Sequence, residues 1–151
     1  MDHVGWSMKK AYLIAGMLII VVAGLGFYVV NQWRYARVIE ANWSIKLPTS
    51  YDEIYKIDSG QSFLGDGQRF HVFEVRNQSD VIDALAWTNG PNSTIEESVT
   101  TLIRALKVDS AYRPDFQIPY RYYTQTKTDH STIYLVYFET IQRLLIIEDI
   151  Y

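Results

Sequence analysis

The sequence predicts an α+β protein, an N-terminal transmembrane helix followed by a small domain with an antiparallel sheet. Three observations carry this. The run Ala11 to Val30 is uncharged and lies between Lys9-Lys10 and the pair Arg34 and Arg37. Beyond it the apolar period changes from two to about 3.6 and back to two. The 109 residues from Trp43 to Tyr151 are enough for one core and too few for two.

Residues 1–10 are a short tail. At about 1.5 Å per residue, a helix of roughly 20 apolar residues covers about 30 Å, the thickness of a bilayer's hydrocarbon core. Residues 11–30 are therefore expected to contact lipid as a single span with ends at Ala11 and Val30. A cleaved signal peptide fits less well, because Phe27-Tyr28-Val29-Val30 prolong the apolar run past the small residues Gly24-Leu25-Gly26. A buried core helix fits poorly too, since a run this long is hard to bury in so small a domain. Trp6 and Tyr12 before the run, and Tyr28, Trp33 and Tyr35 after it, stand where interfacial aromatic belts are expected. Basic residues are nearly balanced across the run. The short leading tail and long following domain favour an uncleaved anchor on a cell membrane, with the C-terminal domain on the extracytoplasmic side. Residues 31–42 (NQWRYARVIEAN) are polar, lack Gly and Pro, and should prolong the helix as a juxtamembrane stalk.

The domain, residues 43–151, should hold about six strands and two helices in the order β-β-β-α-α-β-β-β. Trp43 to Leu47 alternates until Pro48, Glu53 to Ile57 forms a second strand, and Arg69 to Arg76 a third. Asp66-Gly67 between the last two is a turn signal, because Gly tolerates positive φ. Ser79 or Asp80 can cap a short helix carrying Val81, Ile82, Leu85 and Ala86. Ser93-Thr94-Ile95-Glu96 has the form of a capping box. It opens a helix whose Ile95, Val99, Leu102, Ile103 and Leu106 fall on one face. After Pro114 come strands over 120–126, 132–139 and 143–150, with the first turn at Thr128-Asp129-His130-Ser131.

Charge and composition narrow the function. Between residues 43 and 151 there are 10 Lys/Arg and 15 Asp/Glu, a formal charge of 10 − 15 = −5, with no basic stripe, so nucleic acid is not an expected partner. The chain has no Cys, which rules out disulfides, a thiol nucleophile and a lipid-modified cysteine. Three sequons, at Asn42, Asn77 and Asn92, would matter only in a eukaryotic secretory route, which the lack of Cys disfavours. No nucleophile elbow, zinc-protease motif or phosphate loop is present. His71 and Glu74 stand three apart on a strand and so point to opposite faces. His130 sits in a turn and His3 in the tail. No cofactor or metal is expected.

The final strands are rich in aromatic residues. Tyr120, Tyr122, Tyr123, Tyr134 and Tyr137, with Phe138, form a candidate partner-binding face, because Tyr combines contact area with a polar tip. The alternative, that these rings complete the core, stays open. Carboxylates of Asp66, Glu74 and Glu148 could serve a hydrolase only if folding gathers them.

Ser62-Phe63-Leu64-Gly65-Asp66-Gly67 ahead of a strand, Trp87, and the closing segments Ile133-Tyr134-Leu135-Val136-Tyr137 and Leu144-Leu145-Ile146-Ile147-Glu148 carry a resemblance. They resemble small single-span or lipid-anchored bacterial surface proteins of unknown function. In those, a Phe-x-Gly-Asp-Gly turn opens a strand and a Tyr- and Glu-containing hairpin closes the domain. The resemblance implies a bacterial cell-envelope protein and supplies no catalytic residue. The expected function is that of a membrane-anchored, non-catalytic binding domain, of inhibitor or immunity type. An accessory or sensory subunit of a membrane complex is the alternative.

Overall fold

A computed structural model describes residues 3–47, 51–60 and 66–151, with side chains placed from 12 to 27 and from 35 onward within them. The side chains of Trp6, Lys9, Lys10, Ala11, Tyr28, Val30, Trp33 and Arg34, and residues Ser62 to Gly65 of the quoted turn, lie outside the described set. The chain divides into two compact units, residues 1–38 and 39–151.

One continuous helix, α1, runs from His3 to Trp43. The expected membrane-spanning helix over Ala11–Val30 is corrected here. Among the described residues, no helix is long and apolar enough to cross a membrane. Leu13, Ile14, Met17, Leu18, Ile20 and Leu25 are exposed. They stand at spacings that take in every side of the helix.

The second unit is a small α+β domain built on one six-stranded antiparallel sheet. Its strands are β1 (Tyr51–Asp58), β2 (Gly67–Val75), β3 (Thr88–Asn89), β4 (Arg121–Thr126), β5 (Thr132–Phe138) and β6 (Arg143–Ile150), in the order β1-β2-β6-β5-β4-β3. Two helices interrupt them, α2 (Gln78–Ile82) and α3 (Ser93–Ala105). The C-terminal β6 is central, paired with β2 on one side and β5 on the other. Its run Leu144 to Glu148 is buried throughout, as a strand covered on both faces requires.

Each face has its own cover. On the first, Ile95, Val99, Leu102 and Ile103 of α3 pack with Phe70, Val72, Val136, Phe138, Leu145 and Ile147. Asn92 is the N-cap, its side chain accepting from the N–H groups of Thr94 and Ile95. The helix thus starts one residue ahead of the expected Ser93 cap. Glu96 does not close a capping box; it accepts the Tyr120 hydroxyl at 2.7 Å. On the second face stand Phe73, Ile133, Leu135, Tyr137, Leu144, Ile146 and Glu148, all buried. Trp43 is fixed there by a 2.7 Å bond from its Nε1–H to Glu148, and Ile39, Ile45 and Leu47 beside it in sequence are buried as well.

The segment Trp43 to Leu47 is therefore not the first strand. Its side chains do alternate between buried and exposed, but Trp43 ends α1 and residues 44–47 join no ladder. Period two reports an extended chain lying on an apolar surface as readily as a paired strand. The sixth strand is instead the two-residue β3, too short to leave a periodic signal.

Gly90 follows β3 and donates its N–H to the Tyr120 carbonyl at 2.9 Å. A Cβ at Gly90 would stand 2.6 Å from the Tyr120 ring. Gly90→Ala should cost about 1–3 kcal/mol of stability through overpacking, measured by urea unfolding. A loss under about 0.5 kcal/mol, the range of an inert surface change, would contradict this packing.

Candidate binding surface

The tyrosines singled out in the sequence do not share one face. Successive residues of a strand point to opposite sides, so Tyr122 and Tyr123 are separated by position alone. Tyr122 and Tyr134 are half-buried against the α3 side. Tyr123 lies opposite Leu135, on the Trp43 side of the sheet, and donates to Gln125 Oε1 at 3.1 Å. Tyr137 belongs to that same side and is fully buried, its ring 6.2 Å from Trp87. Among the described residues its hydroxyl meets no hydrogen-bond partner. Burial, with the Glu139 charge adding to it, pushes the Tyr137 hydroxyl above its ordinary pKa.

Tyr120 stands just ahead of β4 at the end of the sheet, among Phe116 at 5.3 Å, Phe138 at 5.8 Å and Tyr122 at 6.4 Å. Its hydroxyl accepts the Asn92 N–H at 2.8 Å and donates to Glu96. Asn92 Nδ2 donates in turn to the Tyr122 hydroxyl at 2.8 Å. One asparagine thus caps α3 and ties it to β4. Burial, then the bond to Glu96, pushes the Tyr120 hydroxyl up to about 12.

Beside this corner lies a cleft of about 480 Å³. Pro91, Phe116, Ile118, Pro119 and Tyr120 give it an apolar wall. Arg121 and Glu139, paired through Nε and Oε1, give it a charged rim. Both charged side chains are about one-third exposed, 34% and 38%, so the pair keeps polar capacity for a ligand. Sequence reasoning named Tyr120 here and missed the rest, because Arg121 and Glu139 are brought together by the β4–β5 pairing and share no local motif.

The three carboxylates considered for hydrolysis are kept apart. Glu148 is fully buried opposite Arg69 near one end of β2, bonded to Trp43 and 3.8 Å from an Arg69 nitrogen. Glu74 is exposed opposite Arg143 at the other end. The five residue steps of strand from Arg69 to Glu74 span about 17 Å and end on the opposite face. Cooperating carboxylates lie within about 10 Å, so Asp66, Glu74 and Glu148 do not form one site. Among the described residues no group of three acidic or histidine side chains could hold a metal.

His71 Nδ1 meets Glu53 Oε1 at 2.5 Å, and Lys56 Nζ lies 3.6 Å from the same carboxylate. Burial opposes ionisation of Glu53, but the His71 hydrogen bond and the two neighbouring charges outweigh it and hold the carboxyl below its ordinary value. His130 is exposed in the β4–β5 turn with φ 69°.

Compared with protein-family models, curated proteins and solved structures, the chain gives no match.

Tyr51 shares the behaviour of Tyr120, its hydroxyl pushed up to about 12 by burial and then by the Glu53 charge. Both folded-state values exceed the unfolded value near 10. The folded state therefore holds more protons in that window, and stability present below pH about 10 is lost as pH rises towards about 12. In an alkaline titration followed by tyrosinate absorbance, Tyr51, Tyr120 and the buried Tyr137, three of the 12 tyrosines, should ionise later than the exposed ones. Release of all of them together near pH 10 would contradict the buried hydroxyl network.

Proposed function

We propose that this chain is a non-catalytic binding domain of inhibitor or immunity type, working at a bacterial cell-envelope membrane with its globular unit on the extracytoplasmic side. The observation that carries the reading is the cleft at the sheet end. An apolar wall with a paired charge at its rim suits a segment of another protein, since aromatic and apolar side chains supply contact area and a rim pair supplies orientation. Its floor is preorganised, because Tyr120 is held by Asn92, Glu96 and Gly90 before any partner arrives, which lowers the ordering cost of association. The membrane part of the reading rests on the exposed apolar side chains between residues 12 and 27. An apolar surface of that extent is unfavourable in water, and lipid contact removes the cost. The resemblance to anchored bacterial surface proteins points the same way.

The test is capture with the tagged full chain, gently solubilised from bacterial envelopes. A partner recovered in near-equal amount by the parent and by the exposed-site control Glu97→Arg should be lost from Arg121→Glu, which sets a second acid beside Glu139. Identical capture by all three proteins would remove the cleft as the binding site. The chain itself should float with phospholipid vesicles; recovery in the aqueous fraction would remove the lipid contact.

A further inference from the structure

The sheet has two edges, and they are built differently. The β1 edge carries Asp52, Glu53, Lys56 and Asp58, and its register slips between Glu53 and Tyr55. Charges and irregularities of this kind discourage a further strand from pairing there. The opposite edge is β4, covered by β3 only at Arg121 and Tyr122. From Tyr122 to Thr126 (YYTQT) this strand has no charge and no Pro, and Thr124 and Thr126 are exposed.

Backbone parity says which groups are open. The Tyr120 carbonyl accepts from Gly90 on the β3 side, and Tyr122 faces Thr88 there. Lys127 N–H reaches Ser131 on the β5 side at 2.9 Å. Odd-numbered residues of β4 therefore direct their N–H and C=O towards β5, and even-numbered ones away from it. The outward groups of Thr124 and Thr126 extend past the end of β3, with no ladder partner among the described residues.

We propose that this edge pairs with the same edge of a second copy of the chain, antiparallel and centred on Gln125. In that register Thr124 faces Thr126 of the second copy and the reverse, so the four open groups on each chain combine into four backbone hydrogen bonds. Gln125 meets its own counterpart at the two-fold axis, and Tyr123 meets Lys127. No like charges stand opposite one another, the strand is complementary to itself, and the contact closes as an isologous dimer. The β1 edge suits this less well, since pairing about Tyr55 sets Asp52 against Asp58 and pairing about Lys56 sets the two lysines against each other. The net charge of −5 on residues 43–151 works against association at a distance, so dimerisation should strengthen with salt. This inference stands independently of the partner cleft, which lies at the other end of β4 beside Arg121.

The chain has no cysteine, which makes the test direct. In the paired register the two Gln125 Cα atoms stand about 4.5 Å apart, within the span of a disulfide, whereas two Thr124 Cα atoms stand roughly 8 Å apart, outside it. Full-length Gln125→Cys in dilute detergent, oxidised with copper phenanthroline, should form a covalent dimer at least about tenfold faster than Thr124→Cys, as the geometry of the bond demands. Adding Thr124→Pro to Gln125→Cys removes an N–H that β5 does not use. It should abolish cross-linking while circular dichroism and thermal midpoint stay unchanged. Equal rates for the two cysteines, or cross-linking that survives the proline, would overturn the proposal; the latter would place self-association elsewhere in the chain.

Discussion

A carboxylate with no solvent exposure lies on the second face of the sheet, near the end of the central strand β6, and that face is arranged around it. Glu148 takes the Trp43 indole N–H on one oxygen and stands against Arg69 with the other. An uncompensated charge in that position would cost several kcal/mol, so the two donors must be supplied together. Trp43 arrives from the end of α1, 105 residues away in sequence. Lys127 crosses its ring at 4.5 Å from the β4–β5 turn. The pin thus fixes how the segment Ile39 to Leu47 lies across the sheet, and with it the burial of Ile39, Ile45 and Leu47. A surface pair such as Arg76 with Asp52 has comparable geometry at 2.6 Å but stays solvated, where such pairs contribute about 0–1 kcal/mol.

With α3 on one face and this segment on the other, the aromatic wealth of the last strands is largely consumed inside. Tyr137 and Phe138 are core residues on opposite sides, and Tyr120 is a corner post between α3 and β4. What remains for other molecules lies at the margins of the sheet: a cleft where β4 begins and an unguarded backbone edge where it ends. The two surfaces differ in kind. One offers side chains of fixed position, the other a row of main-chain groups that any strand of suitable register can meet.

Much of this arrangement was legible from sequence where a single element decides its own face. The spacing of Ile95, Val99, Leu102 and Ile103 shows the buried side of α3, and the runs 132–139 and 143–150 read as central strands because both their faces are apolar. Misreadings occurred where a local pattern has two physical origins. Alternation at Trp43–Leu47 signals contact with a flat apolar surface and does not require hydrogen-bonded pairing. Ser93 and Asn92 both suit an N-cap, and the choice of Asn92 depends on Tyr120 and Tyr122, which lie 28 and 30 residues on. The grouping of Tyr122 with Tyr123 ignored the parity of a strand. Glu148 reads as a polar interruption near the end of an apolar strand, and nothing local shows that Trp43 and Arg69 will satisfy it. The uncharged run of α1 is helical, yet among the described residues no helix is long and apolar enough to cross a membrane.

The account rests on Trp43 and Glu148 acting as one unit, and a double-mutant cycle measures that directly. Trp43→Phe, Glu148→Gln and the double variant, compared by denaturant unfolding of the full chain, should show a coupling of about 1–3 kcal/mol, as for contacting groups in one buried network. Losses that simply add, within about 0.3–0.5 kcal/mol as for independent sites, would contradict the claim that this pair closes the second face.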